Sequence, residues 1–123
     1  MPPLVKTAVT LMFLAFGFYT VGVWSAVFSH RLKPWHALLF WLGFSSDTAG
    51  TELMRQMAGG FRWGFHTATG GLALLLMLLH AVWATTVLVR GNEARLRTFH
   101  RTSVVVWVIW LIPFVTGLVL GAR

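Results

Sequence analysis

A chain of 123 residues with 57% hydrophobic and 11% charged side chains, and a mean hydropathy of +0.74, has more apolar surface than a soluble domain of this size can bury. The formal net charge of +7 does not indicate a nucleic-acid partner, because the lysines and arginines lie mainly at the ends of apolar runs, where membrane proteins place them. The absence of cysteine excludes disulfides, thiolate metal sites, iron–sulfur clusters and covalently attached c-type haem.

The apolar runs predict helices that cross a bilayer, because they are continuous and about 20 residues long, whereas barrel strands alternate over about 10 positions. In chain order, the predicted helices cover about residues 4–28, 34–56, 63–89 and 99–120. Pro34 suits the first turn of the second helix, and residues 90–97 are predicted as a charged turn before the fourth. Because the connections are short, the sequence predicts one all-α domain, an integral membrane four-helix up-and-down bundle in a lipid bilayer.

The distribution of basic residues predicts how the bundle is oriented. The connections after the first and third helices carry six of them: Arg31, Lys33, Arg90, Arg95, Arg97 and Arg101. The opposite side carries four: Lys6, Arg55, Arg62 and Arg123. Because lysine and arginine accumulate on the cytoplasmic side, both termini are predicted to lie outside the cytoplasm.

The second predicted helix contains a polar stretch, Ser45 to Glu52, that by composition alone looks like a loop. A loop there would leave only about 11 apolar residues, too few to cross a membrane. Asp47 is therefore predicted near mid-depth and facing the bundle interior, where an ionisable side chain indicates a function. The alternative is a break at Ser45-Ser46 followed by a re-entrant or hydrated segment.

Four histidines are predicted at inward positions of this bundle. His80 lies near the centre of the third helix, and His66 lies about 21 Å earlier on the same face. His36 and His100 share a depth near the starts of the second and fourth helices, whereas His80 shares its depth with Asp47. A single membrane histidine is often a hydrogen-bonded packing residue, but four inward imidazoles without any thiol favour a cofactor.

Haem b fits this pattern best, because imidazole is its usual axial ligand and a helical bundle can supply the slot. His80 is the leading iron ligand, and His36, His100 and His66 are the other candidates. One or two haems are compatible with the sequence, since a His36 and His100 pair competes with the two-haem spacing of the third helix. A compact zinc or copper site is less favoured, because the histidines lie at different depths.

Polar residues beside the histidines have candidate roles as well. Asp47 is predicted to hydrogen-bond the far nitrogen of His80 and fix its tautomer. The candidate partners of haem propionates are Arg55, Arg62 and Arg101. Proton transfer through Asp47, Glu52 and His80 is a further alternative.

Several strings of the sequence resemble a known family. They are Lys33-Pro34-Trp35-His36, Leu39 to Phe44, Asp47 to Thr51, Phe65-His66 with Thr69-Gly70, His80 to Ala84, Phe99-His100-Arg101 and Val106 to Pro113. They resemble the HsmA family of small bacterial four-helix membrane proteins, named for haem sequestration. The resemblance implies haem binding within the bacterial cytoplasmic membrane and a role in haem sequestration or protection against oxidative stress.

Two other classes of function stay open from the sequence. The first is a small membrane oxidoreductase that exchanges electrons with quinone or superoxide through haem b. The second is a structural membrane subunit without a cofactor, indicated by Gly117 to Gly121, a small-residue pattern typical of helix contacts and of homo-oligomers.

Overall fold

The computed structural model describes residues 3–57 and 65–121, and the surroundings of the side chains at 6–56 and 70–117. The described residues form four helices and no strand: α1 (Pro3–Ser29), α2 (Pro34–Met57), α3 (Phe65–Arg90) and α4 (Glu93–Gly121). Each helix contacts its two neighbours in a ring, α1 with α2 and α4, and α3 with α2 and α4. The connections after α1 and α3 are only four and two residues long, so the helices they join run antiparallel. The predicted all-α class with four helices is confirmed.

Three of the helices are long and apolar enough to cross a membrane, with candidate spans Lys6–Ser29, Gly70–Arg90 and Glu93–Gly117. The remaining helix, α2, contains the polar stretch that begins at Ser45. It is nevertheless one continuous helix, so the alternative of a break at Ser45-Ser46 is wrong. The Ser45 hydroxyl donates to the carbonyl oxygen of Trp41 (2.9 Å), which satisfies that side chain within the helix itself.

The fourth helix begins at Glu93, six residues before its predicted start, so the charged turn predicted over 90–97 is wrong. The turn consists only of Gly91 and Asn92. Gly91 adopts a φ of +66°, which favours glycine, and its N–H donates to the Val87 carbonyl oxygen (3.0 Å) as α3 ends. The Asn92 side chain then accepts the Arg95 N–H (3.2 Å) and caps α4. The charge of the basic residues after Asn92 predicts a loop, but these residues lie on exposed turns of α4.

The connections at 30–33 and 91–92 lie at the same end of the bundle, called here the loop end. The Leu32 N–H donates to the Leu96 carbonyl oxygen (2.8 Å), and the Arg31 guanidinium pairs with the Glu93 carboxylate. This hydrogen bond with Glu93 raises the pKa of Arg31 and keeps the guanidinium charged. Because this backbone bond holds Leu32 and Leu96 at the same depth in the bundle, the residues four positions later, on α2 and α4, also share a depth. These are His36 and His100, as predicted.

Two clusters of buried apolar side chains fill the bundle. The cluster nearer the loop end includes Val23, Leu32, Phe40, Ala84, Val87, Leu96 and Phe99. The second cluster comprises Ala15, Tyr19, Ala73, Met77, Val106 and Trp110. The buried positions of α2 include Gly43, Asp47 and Gly50, which lie on the predicted inward stripe, whereas Met54 at its end is 40% exposed.

Candidate functional site

His80 projects from α3 into the interior and is only 4% exposed. Its ring contacts the rings of Phe40 of α2 and Phe99 of α4, with centroids 4.4 and 5.4 Å away and interplanar angles of 55° and 25°. Its Nε2 atom lies 2.7 Å from the hydroxyl oxygen of Ser103, which is fully buried. The remaining nitrogen, Nδ1, is buried and has no hydrogen-bond partner among the described residues.

The contact with Ser103 determines which tautomer of His80 is favourable. A neutral imidazole carries one N–H and one lone pair. If Ser103 donated to Nε2, the proton on Nδ1 would be a buried donor without an acceptor, which costs about 1–3 kcal/mol. If Nε2–H donates to Ser103 instead, Nδ1 holds only a lone pair. In this second tautomer Nδ1 of His80 is unprotonated, which is the form in which an imidazole nitrogen binds a metal.

His36 lies in the first turn of α2 and is fully buried. The backbone N–H of Lys33 donates to Nδ1 of the His36 ring (3.0 Å), and the backbone N–H of His36 donates to the Lys33 carbonyl oxygen (3.0 Å). These two bonds cap the start of α2. A glutamate at the third position of a helix often makes the same side-chain bond back to the backbone N–H of the capping residue. Because Nδ1 accepts, the proton of a neutral ring resides on Nε2. Nε2 is buried and lacks a partner within the described ranges, so His36 presents a donor rather than a lone pair.

His100 lies on α4, one turn beyond the loop end. Its ring is partly buried and meets the exposed ring of His30 edge to face, with centroids 5.8 Å apart. Its Nδ1 atom is buried, and no described residue bonds to it. His66 lies on the described backbone of α3, but its side chain falls outside the residues whose surroundings are described. The structure therefore places His36 and His100 at one level near the loop end and His80 at a deeper level, beside Phe40 and Phe99.

Asp47 faces the interior of the bundle, as predicted, and is 3% exposed. Its Oδ2 atom accepts the Tyr19 hydroxyl (3.1 Å) and the Trp110 indole N–H (2.9 Å), and the Thr51 side chain is a third donor. The predicted bond between Asp47 and His80 is wrong. Asp47 is instead bonded to side chains of α1 and α4, while His80 on α3 meets Ser103 of α4.

The sequence reasoning missed Tyr19, Trp110 and Ser103. Tyr19 is the only tyrosine in the chain and lies about 15 Å from the end of α1, close to the mid-depth predicted for Asp47. A buried tyrosine hydroxyl needs a partner, so this match in depth was a usable signal. Ser103 gave no such signal, because it is one small polar side chain that directly follows the polar residues His100, Arg101 and Thr102.

The arginines proposed to bind propionates lie in different places. Arg55 donates two hydrogen bonds to Glu52 (2.9 and 2.5 Å) near the end of α2, about 28 Å along the helix from His36. Arg101 is exposed and follows His100 directly. Arg62 lies outside the described residues. Arg101 alone of the three is shown near the buried histidines.

An apolar groove of about 370 Å³ lies between α3 and α4. It is lined by Leu72, Ala73, Leu76, Ile109, Ile112 and Pro113. These side chains offer no hydrogen-bond donor for a quinone carbonyl. The groove therefore gives no support to the quinone oxidoreductase alternative.

Over 3–57 and 65–121, no three histidine, aspartate or glutamate side chains lie close enough together to hold a metal ion. No family model, curated protein or solved structure matches the chain.

Proposed function

We propose that this chain is an integral membrane protein that binds haem b between its helices and sequesters it from water. The outer surface supports the membrane setting, because large apolar side chains are exposed on all four helices. Examples are Phe13, Leu38, Leu79 and Ile112, which are 49%, 59%, 57% and 59% exposed. The polar groups of the candidate site face inward, an arrangement typical of membrane bundles.

The observation that carries the haem proposal is the set of buried imidazole nitrogens without partners. They are His36 Nε2, His80 Nδ1 and His100 Nδ1 among the described side chains. More than about 90% of buried polar groups in proteins are hydrogen-bonded, so three unpartnered nitrogens in one half of a small bundle favour a bound ligand. The resemblance of the same segments to the HsmA family points to the same ligand.

His80 is the leading iron ligand in this proposal, because its favourable tautomer leaves a lone pair on Nδ1. The aromatic rings of Phe40 and Phe99 pack against the imidazole and hold it between α2 and α4. His100 is the second candidate. Bound haem supplies a redox-active iron, and burial among apolar side chains limits the access of water and peroxide to it.

The proposal predicts a coloured protein. Wild-type chain purified from cells supplied with haem is expected to show a Soret band and about one haem per chain in a pyridine haemochrome measurement. His80→Ala is expected to lower haem affinity roughly tenfold or more. The matched control is His30→Ala, which removes an exposed imidazole and is expected to retain the haem.

A colourless wild-type protein that still forms a stable helical bundle would contradict the proposal and favour the cofactor-free structural subunit. Equal haem loss in His80→Ala and His30→Ala would leave haem binding in place but refute the assignment of His80.

We also propose that the protein lies in a bacterial cytoplasmic membrane with both termini outside the cytoplasm. Six basic residues at the loop end against four at the other end support this orientation. Alkaline phosphatase fused after Arg123 is therefore expected to be active, and a green fluorescent protein at the same position dark. The reverse pattern would contradict the orientation without affecting the site.

A further inference from the structure

His36 is a fully buried side chain whose outer nitrogen has no role in the cap that it forms. The Lys33 N–H holds Nδ1 as an acceptor, so Nε2 carries the proton and points into the interior without a described partner. Iron binds an unprotonated ring nitrogen. A neutral His36 ring that bound iron through Nε2 would therefore carry its proton on Nδ1. That proton would face the Lys33 N–H, so two donors would point at each other. The cap therefore disfavours His36 as an iron ligand and makes it a hydrogen-bond donor.

No acidic residue of the chain is free to accept this bond. The sequence contains three aspartates and glutamates in total. Asp47 is bonded to Tyr19 and Trp110, Glu52 to Arg55, and Glu93 to Arg31. The described side chains therefore leave no anionic acceptor for His36, and a bound molecule can supply one.

The surroundings of His36 favour a negatively charged oxygen. His36 lies one helical turn nearer the loop end than Phe40, which contacts the His80 ring. Lys33 and Arg101 lie at the same end, where the single acidic residue, Glu93, is already shared by Arg31 and Arg97. The positive charges of Lys33 and Arg101 would thus stabilise the carboxylates of a ligand held at His80, provided that these carboxylates point toward the loop end.

We propose that the His36 Nε2–H donates a hydrogen bond to a propionate carboxylate of bound haem, and that His36 orients the haem without ligating its iron. This inference rests on the proposed haem binding. His36 is a positioning residue in this arrangement, and the loop end is the side toward which the propionates point.

The first test needs no haem. In the haem-free protein labelled with ¹⁵N-histidine, the His36 resonances, assigned by their loss in His36→Gln, are expected to show the tautomer protonated at Nε2. A ring protonated at Nδ1 would overturn the inference, since Nε2 would then carry a lone pair suited to iron.

The second test separates donor from ligand in the haem-loaded protein. His36→Gln retains an N–H donor, whereas His36→Leu has none. Both are expected to keep the wild-type electron paramagnetic resonance spectrum of the iron, with affinity near wild type for glutamine and roughly tenfold weaker for leucine. A changed iron spectrum in His36→Gln would identify His36 as a ligand and overturn the inference.

The third test identifies the acceptor with haem dimethyl ester, in which both propionates are neutral esters. Wild-type protein is expected to bind the ester more weakly than haem, and this preference for haem is expected to be smaller in His36→Leu. A wild-type protein that binds haem and its ester equally would overturn the inference while haem binding stands. A wild-type protein that takes up neither would instead refute the proposed function itself.

Discussion

Asp47→Ala is expected to lower the free energy of unfolding by about 2–5 kcal/mol, measured by denaturant or SDS titration in micelles. The Tyr19 hydroxyl and the Trp110 indole N–H share this carboxylate, and both side chains are almost fully buried. Removing the acceptor leaves two donors inside the bundle, each costing about 1–3 kcal/mol. The matched control is Glu52→Ala, which removes an exposed carboxylate of the same helix and should change stability by less than about 1 kcal/mol.

The cluster can also be tested for coupling. Tyr19→Phe removes one donor, so its cost in the wild-type background should exceed its cost in the Asp47→Ala background. Equal costs in the two backgrounds would show that Tyr19 and Asp47 do not stabilise each other. Comparable losses in Asp47→Ala and Glu52→Ala would show that the buried position of Asp47 has no special effect.

Gly43→Ala and Gly17→Ala are expected to change stability in opposite directions. A Cβ at Gly43 would lie 2.6 Å from the Tyr19 ring, which is fully buried and must shift, at a cost of about 1–3 kcal/mol. A Cβ at Gly17 meets nothing within 4 Å, so alanine there should stabilise α1 by up to about 1 kcal/mol through its helix propensity.

Both glycine variants are measured by the same unfolding titration. If Gly43→Ala stabilises the protein as much as Gly17→Ala does, then α1 and α2 do not pack as closely as described. A further check is the Tyr19 to Asp47 coupling, which should weaken in the Gly43→Ala background because the displaced ring carries the hydroxyl with it.

Three of the four helices could be predicted because their apolar runs are long enough to cross a membrane. The length of α2 could be predicted because a loop at Ser45 would leave too few residues to cross. The start of α4 could not, since a turn of only Gly91 and Asn92 leaves no long polar segment. The charged residues that follow it are tolerated on an exposed helical turn, where they look like a loop by composition. The start of a helix that follows a very short turn is therefore better predicted from a capping residue such as Asn92 than from a run of charged residues.

The inward position of Asp47 followed from its depth and from the stripe of small residues on α2. Its partners did not follow, because they depend on how neighbouring helices are rotated against each other. Gly43 lets the Tyr19 ring lie directly on α2, and the hydroxyl of that ring then reaches Asp47, one turn further along. Ser103 could not be predicted as the partner of His80, because serines and threonines in helices commonly bond to the backbone of their own helix.

The role of His36 illustrates a different failure. The sequence showed a histidine near the start of a helix, but not that Lys33 would donate its backbone N–H to that ring. A side chain at the third position of a helix often reaches back to the capping residue. The pattern Lys33-Pro34-Trp35-His36 could therefore have been read as a helix start that uses one nitrogen of the ring and leaves the other free.

The backbone bond between Leu32 and Leu96 has a consequence for how any large molecule reaches His80. It draws the first interhelical connection over the end of the bundle, and Leu32, Leu96 and Val87 beneath it are almost fully buried. These side chains close the route along the bundle axis from the water at the loop end. In the proposed membrane setting, a flat, lipophilic molecule would therefore enter sideways between two helices.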